Sequence, residues 1–378
     1  MSWVVALAVV PGLLVSLVLA YLVRSWAPRW GLVDQPGHRK VHARPVPFGG
    51  GLAIWAGVVL PLALGQILLE VWQQSQMASG GARLPEWLGS IGAFIEPHLP
   101  GLLAQSRSLW FFLAAGTVLM LLGLVDDARR LDWRLRIAVE LAVATAVVFI
   151  LDWRLTLFVD IPALTSLVSV LWIVGLINSI NFLDNMDGLA GGVSAIAAVF
   201  LGVYLLLVPE GAHPQLFVAG FLFLLVGAIG GFLWHNRPPA RIFMGDAGSY
   251  FIGFCLAVMT ILATFSGPGV PRHSILAPLC VLAVPLYDTA SVICIRLRNG
   301  QSPFEGDTNH FSHRLVALGL SKTQAVLTIY LTSAACGLGA LVLPQVNSAG
   351  AVIVALMIAC LLGVIAILEM SARRLTRR

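Results

Sequence analysis

Five polar stretches and one isolated aspartate interrupt an otherwise apolar chain, and their side chains are of the kinds that handle phosphates and divalent cations. Residues 37–51 carry Arg39, Lys40, His42 and Arg44 ahead of Gly49-Gly50-Gly51. Glycines entering a helix let backbone N–H groups approach an anion; the same pattern also serves as a basic anchor followed by a turn. Asp126-Asp127 ends an apolar run, where adjacent carboxylates repel each other and suit a proton or a cation. In residues 178–188, Asn178, Asn181 and Asp184 recur every three positions. If that segment is helical they form one polar stripe, with Asp184 and Asp187 on a common face. Residues 235–249 begin with His235-Asn236 and place Asp246 where a helix opens, either as its N-cap with Ser249 at N3 or as a cation ligand. Residues 305–314 end on His310, His313 and Arg314, which suit phosphate oxygens; zinc would need further ligands that the sequence does not offer. Asp288 lies inside an apolar run, as a helix-to-helix hydrogen-bonding group or as part of a site.

Taken together, this inventory fits metal-assisted phosphoryl transfer. Oxygen ligands favour Mg²⁺, with Mn²⁺ as the alternative, and such catalysis consists mainly of positioning phosphates and neutralising them. A donor arriving from water and an acceptor buried in lipid would explain a site at the membrane edge.

The elements that must hold these residues are membrane helices. Charged residues make up 11% of the 378, against 58% in the apolar set, too few to clothe a soluble fold. Apolar runs near 4–23, 51–69, 110–125, 137–151, 163–177, 193–208, 217–234, 250–265, 275–295, 325–343 and 352–368 predict an all-α, polytopic bundle of about eleven spans. With the N-terminus outside and the C-terminus cytoplasmic, 19 of the 23 Lys and Arg residues fall on the inside, as orientation by basic loops requires. All five polar stretches then face the cytoplasm. Nothing basic precedes the first run, so it reads as a retained helix and not a cleaved signal. The net charge of +5 is spread over many loops, which argues against nucleic acid. The five cysteines read as small buried hydrophobes. Residues 87–95 read as a short helix lying along the membrane surface. The whole chain, 1–378, reads as a single integral membrane domain.

In their order and on one face, Asp126-Asp127, residues 178–188, residues 243–249 and the His310/His313 loop resemble the polyprenyl-phosphate N-acetylhexosamine-1-phosphate transferases. The resemblance runs from about residue 34 to 314 and leans towards the undecaprenyl-phosphate GlcNAc-1-phosphate branch. It implies transfer of a sugar 1-phosphate from a UDP-sugar to undecaprenyl phosphate, with release of UMP and a requirement for Mg²⁺. It also implies a bacterial inner-membrane location, a cytoplasmic active site, a role at the first membrane step of cell-envelope glycan synthesis, and a homodimer as an allowed assembly. By motif, Asp126 and Asp127 match the catalytic aspartate pair, one of which assists the lipid phosphate. Asp246 matches the metal-binding aspartate, with Asn181 as a second ligand. Asp184 and Asp187 match the acidic residues of the nucleotide and metal pocket, with Asn236 beside them in substrate binding. His310 and His313 match the catalytic histidine loop, Arg314 its phosphate contact, and Lys40 and His42 an early R-K-x-H element in substrate binding. Relatives usually carry adjacent histidines where this chain has Ser312-His313.

Two other classes share some of these features. A transporter or flippase for lipid-linked sugars would place its polar groups near the midplane, where only Asp288 stands. An inactive scaffold of a glycan-assembly complex would keep the helices and lose the reaction.

Overall fold

The computed structural model describes residues 2–35, 45–79, 89, 96–155, 161–207, 215–263, 265, 270–304 and 309–376. Its helices are α1 (Ser2–Trp26), α2 (Gly50–Ser79), α3 (Leu99–Arg129), α4 (Trp133–Ile150), α5 (Pro162–Leu183), α6 (Leu189–Leu206) and α7 (Leu216–Asn236). They continue as α8 (Gly245–Leu262), α9 (Ala277–Val281), α10 (Ala283–Arg298), α11 (Phe311–Ala317), α12 (Lys322–Val342) and α13 (Ser348–Thr376). Ten of the eleven apolar runs lie mainly on one helix each. Among the described residues, nine helices are long and apolar enough to cross a membrane alone, and the run at 275–295 is a pair bent by 65°. The run at 137–151 is α4, set apart by three charged residues, Arg134, Arg136 and Glu140. One departure from an all-helical chain is a two-residue antiparallel pairing, Val33 with Pro47 and Asp34 with Val46. The surface helix expected at 87–95 lies almost wholly outside the described residues.

Local chemistry sets several helix starts. Asp132 caps α4 by accepting from Arg134 N at 2.7 Å. Ser321 and Gln324 form a reciprocal capping box at the start of α12.

The centre of the bundle is α8, with Tyr250, Phe251, Phe254 and Cys255 all within 1% of complete burial. In lipid, helices associate through close packing more than through hydrophobic force, so small residues mark their contacts. A Cβ on Gly51 of α2 would stand 2.1 Å from Gly248 N, and one on Gly123 of α3 would stand 2.4 Å from Ala247 N. A Cβ on Gly253 of α8 would lie 2.7 Å from Ile177 Cα of α5. The first turn of α8 is therefore seated between α2 and α3. On the other side, Gly227 and Gly231 of α7 pack against the backbone oxygens of Val9 and Leu13 in α1. Of the cysteines, Cys255, Cys280 and Cys336 are buried as expected, whereas Cys294 and Cys360 are exposed, on faces where an apolar thiol can meet lipid as well as protein.

Candidate active site

The first turn of α8 is the hub. Asp246 N donates to Asp127 Oδ1 at 2.9 Å, and Ala247 N donates to Asp127 Oδ2 at 3.4 Å. The positive end of α8 is thus capped by a carboxylate from the last turn of α3. This corrects the reading of Asp246 as its own helix's N-cap, and it frees that side chain. Asp246 Oδ1 accepts from Asn181 Nδ2 at 2.6 Å, and the same Nδ2 reaches Ser249 Oγ at 3.0 Å. With its nitrogen so engaged, Asn181 keeps its carbonyl oxygen Oδ1 for a ligand. Gly245 makes the approach feasible twice over. It sits at φ +69°, a conformation disfavoured with a side chain, and a Cβ there would lie 2.4 Å from Asp127 Oδ2.

Asp126 has the opposite surroundings. It is 5% exposed, pairs with Arg136 Nη1 at 2.8 Å, and accepts from Leu131 N at 2.6 Å and Tyr250 OH at 3.3 Å. Arg136 Nη1 also stands 3.8 Å from Asp246 Oδ2, so one guanidinium bridges two of the expected acidic residues. Beneath it, buried Glu140 accepts a hydrogen bond from Asn178 Nδ2. Arg136, Tyr250 and Glu140 were not singled out from sequence. Glu140 had a signal: a carboxylate inside the run at 137–151 meets the same criterion that picked out Asp288.

Helix α5 ends at Leu183, so residues 184–188 form a turn and Asp184 and Asp187 share no helix face, contrary to the helical expectation. Asp184 lies against the start of α8, accepting from Gly245 N. Burial, and then the charges of Asp127 and Asp187, push its carboxyl up to about 7. Asp187 Oδ2 instead accepts from Ala240 N at 3.0 Å, fixing the segment between α7 and α8. Asn236 departs from its expected role in substrate binding. It is 5% exposed, its Oδ1 accepts from Gly188 N and its Nδ2 donates to Ile242 O, both at 2.8 Å. It cross-links two loops from a buried position.

Two glycines of the run serve packing. Gly50 N donates to Phe243 O at 2.9 Å and Gly51 N to Met244 O at 3.0 Å, so these donors hold the lead-in to α8. Lys40 and His42 lie outside the described residues.

In the histidine loop Asp288 is fully buried and organises the turn. Its Oδ1 accepts from Phe311 N at 2.6 Å, and its Oδ2 lies 3.0 Å from His310 Nδ1. Since a carboxylate can only accept, Nδ1 carries a proton and donates it to Asp288. His313 is half-buried, with its ring 6.5 Å from that of His310. Ser312 Oγ donates to Asn185 Oδ1, which ties this loop to the 184–188 turn. Arg314 is not a phosphate contact here. It is 6% exposed and engaged by Asn309 O at 2.9 Å, Ser291 Oγ at 2.7 Å and Glu369 Oε2 at 3.1 Å.

Asp127, Asp184 and Asp246 thus meet around the start of α8, joined by Asn181, and the histidine loop is tied to the same cluster through Asn185. Among the described residues, no three His, Cys, Asp or Glu side chains are close enough to cage a metal by themselves. The donor set is nonetheless all oxygen. Mg²⁺ commonly takes one or two carboxylates, with water and substrate phosphates completing its shell, so these residues fit that ion.

Residues 109–264 match the model of glycosyl transferase family 4. The chain is 31% identical over 349 residues to a protein of Bacillus subtilis named probable undecaprenyl-phosphate N-acetylglucosaminyl 1-phosphate transferase, covering 90% of this chain and 85% of that one. It is 31% identical over 346 residues to the decaprenyl-phosphate N-acetylglucosaminephosphotransferase of Mycolicibacterium smegmatis, covering 84% and 78%. It is 26% identical over 328 residues to the undecaprenyl-phosphate alpha-N-acetylglucosaminyl 1-phosphate transferase of Escherichia coli K12, covering 83% and 77%.

Proposed function

The chain belongs to the polyprenyl-phosphate N-acetylhexosamine-1-phosphate transferases, and from that premise we propose that it moves N-acetylglucosamine 1-phosphate from a UDP-sugar onto undecaprenyl phosphate, releasing UMP. The observation that carries this reading is the joining of Asp127, Asp184, Asp246 and Asn181, drawn from three helix ends, at the start of α8.

In this reading Asp246 and the Oδ1 of Asn181 hold the divalent cation. A bound Mg²⁺ would supply the charge neutralisation that the donor's diphosphate needs and that so acidic a site does not supply itself. Asp127 is the better base of the aspartate pair: it is half-buried, and among the described residues no Lys or Arg pairs with it, whereas Asp126 is tied to Arg136. It takes the proton of the lipid phosphate as that oxygen forms a bond to the sugar-bearing phosphorus. The bond from this phosphorus to the bridging oxygen breaks, and UMP leaves with the electron pair. His310, held at Nδ1 by Asp288, has Nε2 for the donor's diphosphate, and Asp184 adds to the acidic cluster at the start of α8.

The proposal includes eleven crossings, an outside N-terminus, a cytoplasmic C-terminus and a site on the inner face of a bacterial plasma membrane. The segregation of 19 of 23 basic residues supports it. One domain spans 1–378, and its product opens envelope-glycan synthesis; sedimentation in detergent tests for a homodimer. The direct test is purified protein with UDP-N-acetylglucosamine, undecaprenyl phosphate and Mg²⁺, measuring UMP and lipid product together. Both are expected in equal amounts. Binding of both substrates with no UMP would overturn the proposal.

A further inference from the structure

Helix α13 meets lipid over much of its length: Val352, Ile353, Leu356 and Met357 are each more than half exposed. Near its end stands Glu369, 5% exposed, a carboxylate that would be costly there without partners. Its Oε2 accepts from Tyr287 OH of α10 at 2.9 Å and lies 3.1 Å from Arg314 Nε of α11. Arg314 is a single buried cation between two carboxylates, because its Nη2 also lies 3.9 Å from Asp288 Oδ1. The separations are unequal. The guanidinium is close to Glu369 and only loosely near Asp288, which leaves Asp288 to bond Phe311 N at 2.6 Å and His310 Nδ1 at 3.0 Å.

We propose that Glu369 is a positioning residue: by holding Arg314 it reserves Asp288 for His310 and so fixes the histidine loop from the last helix of the chain. Without the Glu369 charge, the buried guanidinium, still bonded to Asn309 O and Ser291 Oγ, has among the described residues only the Asp288 carboxylate left to pair with and shifts towards it. Coulomb attraction rises as separation falls, and buried pairs are weakly screened, so Arg314 then competes with His310 for Asp288. His310 loses both its orientation and the acceptor of its Nδ1 proton. As far as turnover is concerned, the inference rests on the transferase reading.

Glu369→Gln and Tyr287→Phe in the full chain, in nanodiscs, test it with two readouts. The first is carbethoxylation of His310 by diethyl pyrocarbonate, followed by peptide mass spectrometry, with His273 as the internal control because it bonds Leu343 O outside this network. Glu369→Gln is expected to speed modification of His310 about fivefold or more with His273 unchanged, and Tyr287→Phe to move it less in the same direction. The second is UMP release. A kcat about tenfold lower with the KM for the UDP-sugar within about twofold is expected, and less than a twofold further effect of Glu369→Gln in a His310→Ala background. Native reactivity of His310 in both variants, or the same fold-loss with and without His310, would overturn the proposal. If His273 also becomes reactive in Glu369→Gln, that variant has opened globally and Tyr287→Phe decides. If the native chain releases no UMP, the transferase reading has failed, and the carbethoxylation result still decides the role of Glu369.

Discussion

Gly245→Ala is the most discriminating perturbation of this site. The residue sits at φ +69°, where an L side chain costs about 1–2 kcal/mol. Beyond that strain, the new Cβ would stand 2.4 Å from Asp127 Oδ2, about 1 Å inside ordinary van der Waals contact. The methyl group cannot turn away, and the backbone behind it is pinned between Gly51 and Gly123, so the carboxylate must move by roughly that 1 Å. Misplacement on that scale costs about 10²-fold in rate. Gly31→Ala is the matched control, with φ +73° and nothing within 4 Å of its Cβ. Both variants should lose about 1–2 kcal/mol of stability, measured as lower thermal midpoints in detergent. Only Gly245→Ala should lose UMP release, by about 10²-fold in kcat, with the KM for the donor little changed. Native turnover in Gly245→Ala would refute the assignment of Asp127 as the reacting carboxylate. Equal loss in both variants would show that backbone strain alone accounts for the effect.

Asp246→Asn should keep the bond to Asn181 while removing the charge that holds the cation, so UMP release should fall about 10²-fold or more and should recover in part at higher Mg²⁺, seen in a metal titration. Asn236→Leu should leave Gly188 N and Ile242 O buried without partners, at about 1–3 kcal/mol each, so its thermal midpoint should fall well below that of Asp246→Asn. The raised carboxyl of Asp184, about 7 against an ordinary 3.8, has a definite sign. The folded chain binds this proton more tightly than the unfolded chain, so the contribution is greatest below about pH 4 and is lost as pH rises through about 7. Mg²⁺ should therefore raise the thermal midpoint more at pH 8 than at pH 5.5, and an equal rise at both would count against cation binding beside Asp184.

The helices were legible because hydropathy is a local property: eleven apolar runs are eleven helical regions, and even the bent pair at 275–295 lies where one run was expected. The polar clusters were legible for a related reason, since a carboxylate or amide at a membrane edge is costly unless it has work to do. Partner choice was not legible. Nothing in residues 49–51 says that their N–H groups go to Phe243 and Met244 and not to a phosphate. Nor does residue type say that Arg314 and Asn236 will be consumed by internal bonds, because an arginine in a loop looks the same whether it meets a substrate or a distant glutamate. Arg136 was counted only as a basic residue of the inner face, though its neighbour Asp132 as a helix cap and its own place one turn into α4 put it opposite Asp126.

The sharpest instance is the aspartate pair itself. Consecutive residues on a helix point about 100° apart, so Asp126 and Asp127 could not share one set of neighbours. Asp126 turns to α4 and meets Arg136; Asp127 turns to α8 and meets bare N–H groups. A guanidinium partner stabilises the charged form and ties it down, which suits a carboxylate whose task is to hold the bundle together. Helix N–H donors favour charge less strongly and leave lone pairs directed outward, which suits one that must gain and lose a proton. Exchanging the two environments is therefore more informative than deleting either residue. Arg136→Leu frees Asp126 from its cation without touching Asp127, and should destabilise the fold by about 1–3 kcal/mol, the cost of leaving buried Asp126 without a partner that is itself 27% exposed. Arg136→Lys, which keeps the charge and loses the bridge to Asp246, should retain the thermal midpoint to within a few degrees and lower UMP release. If both substitutions left turnover intact, the bridge from Asp126 to Asp246 would have no part in arranging the site.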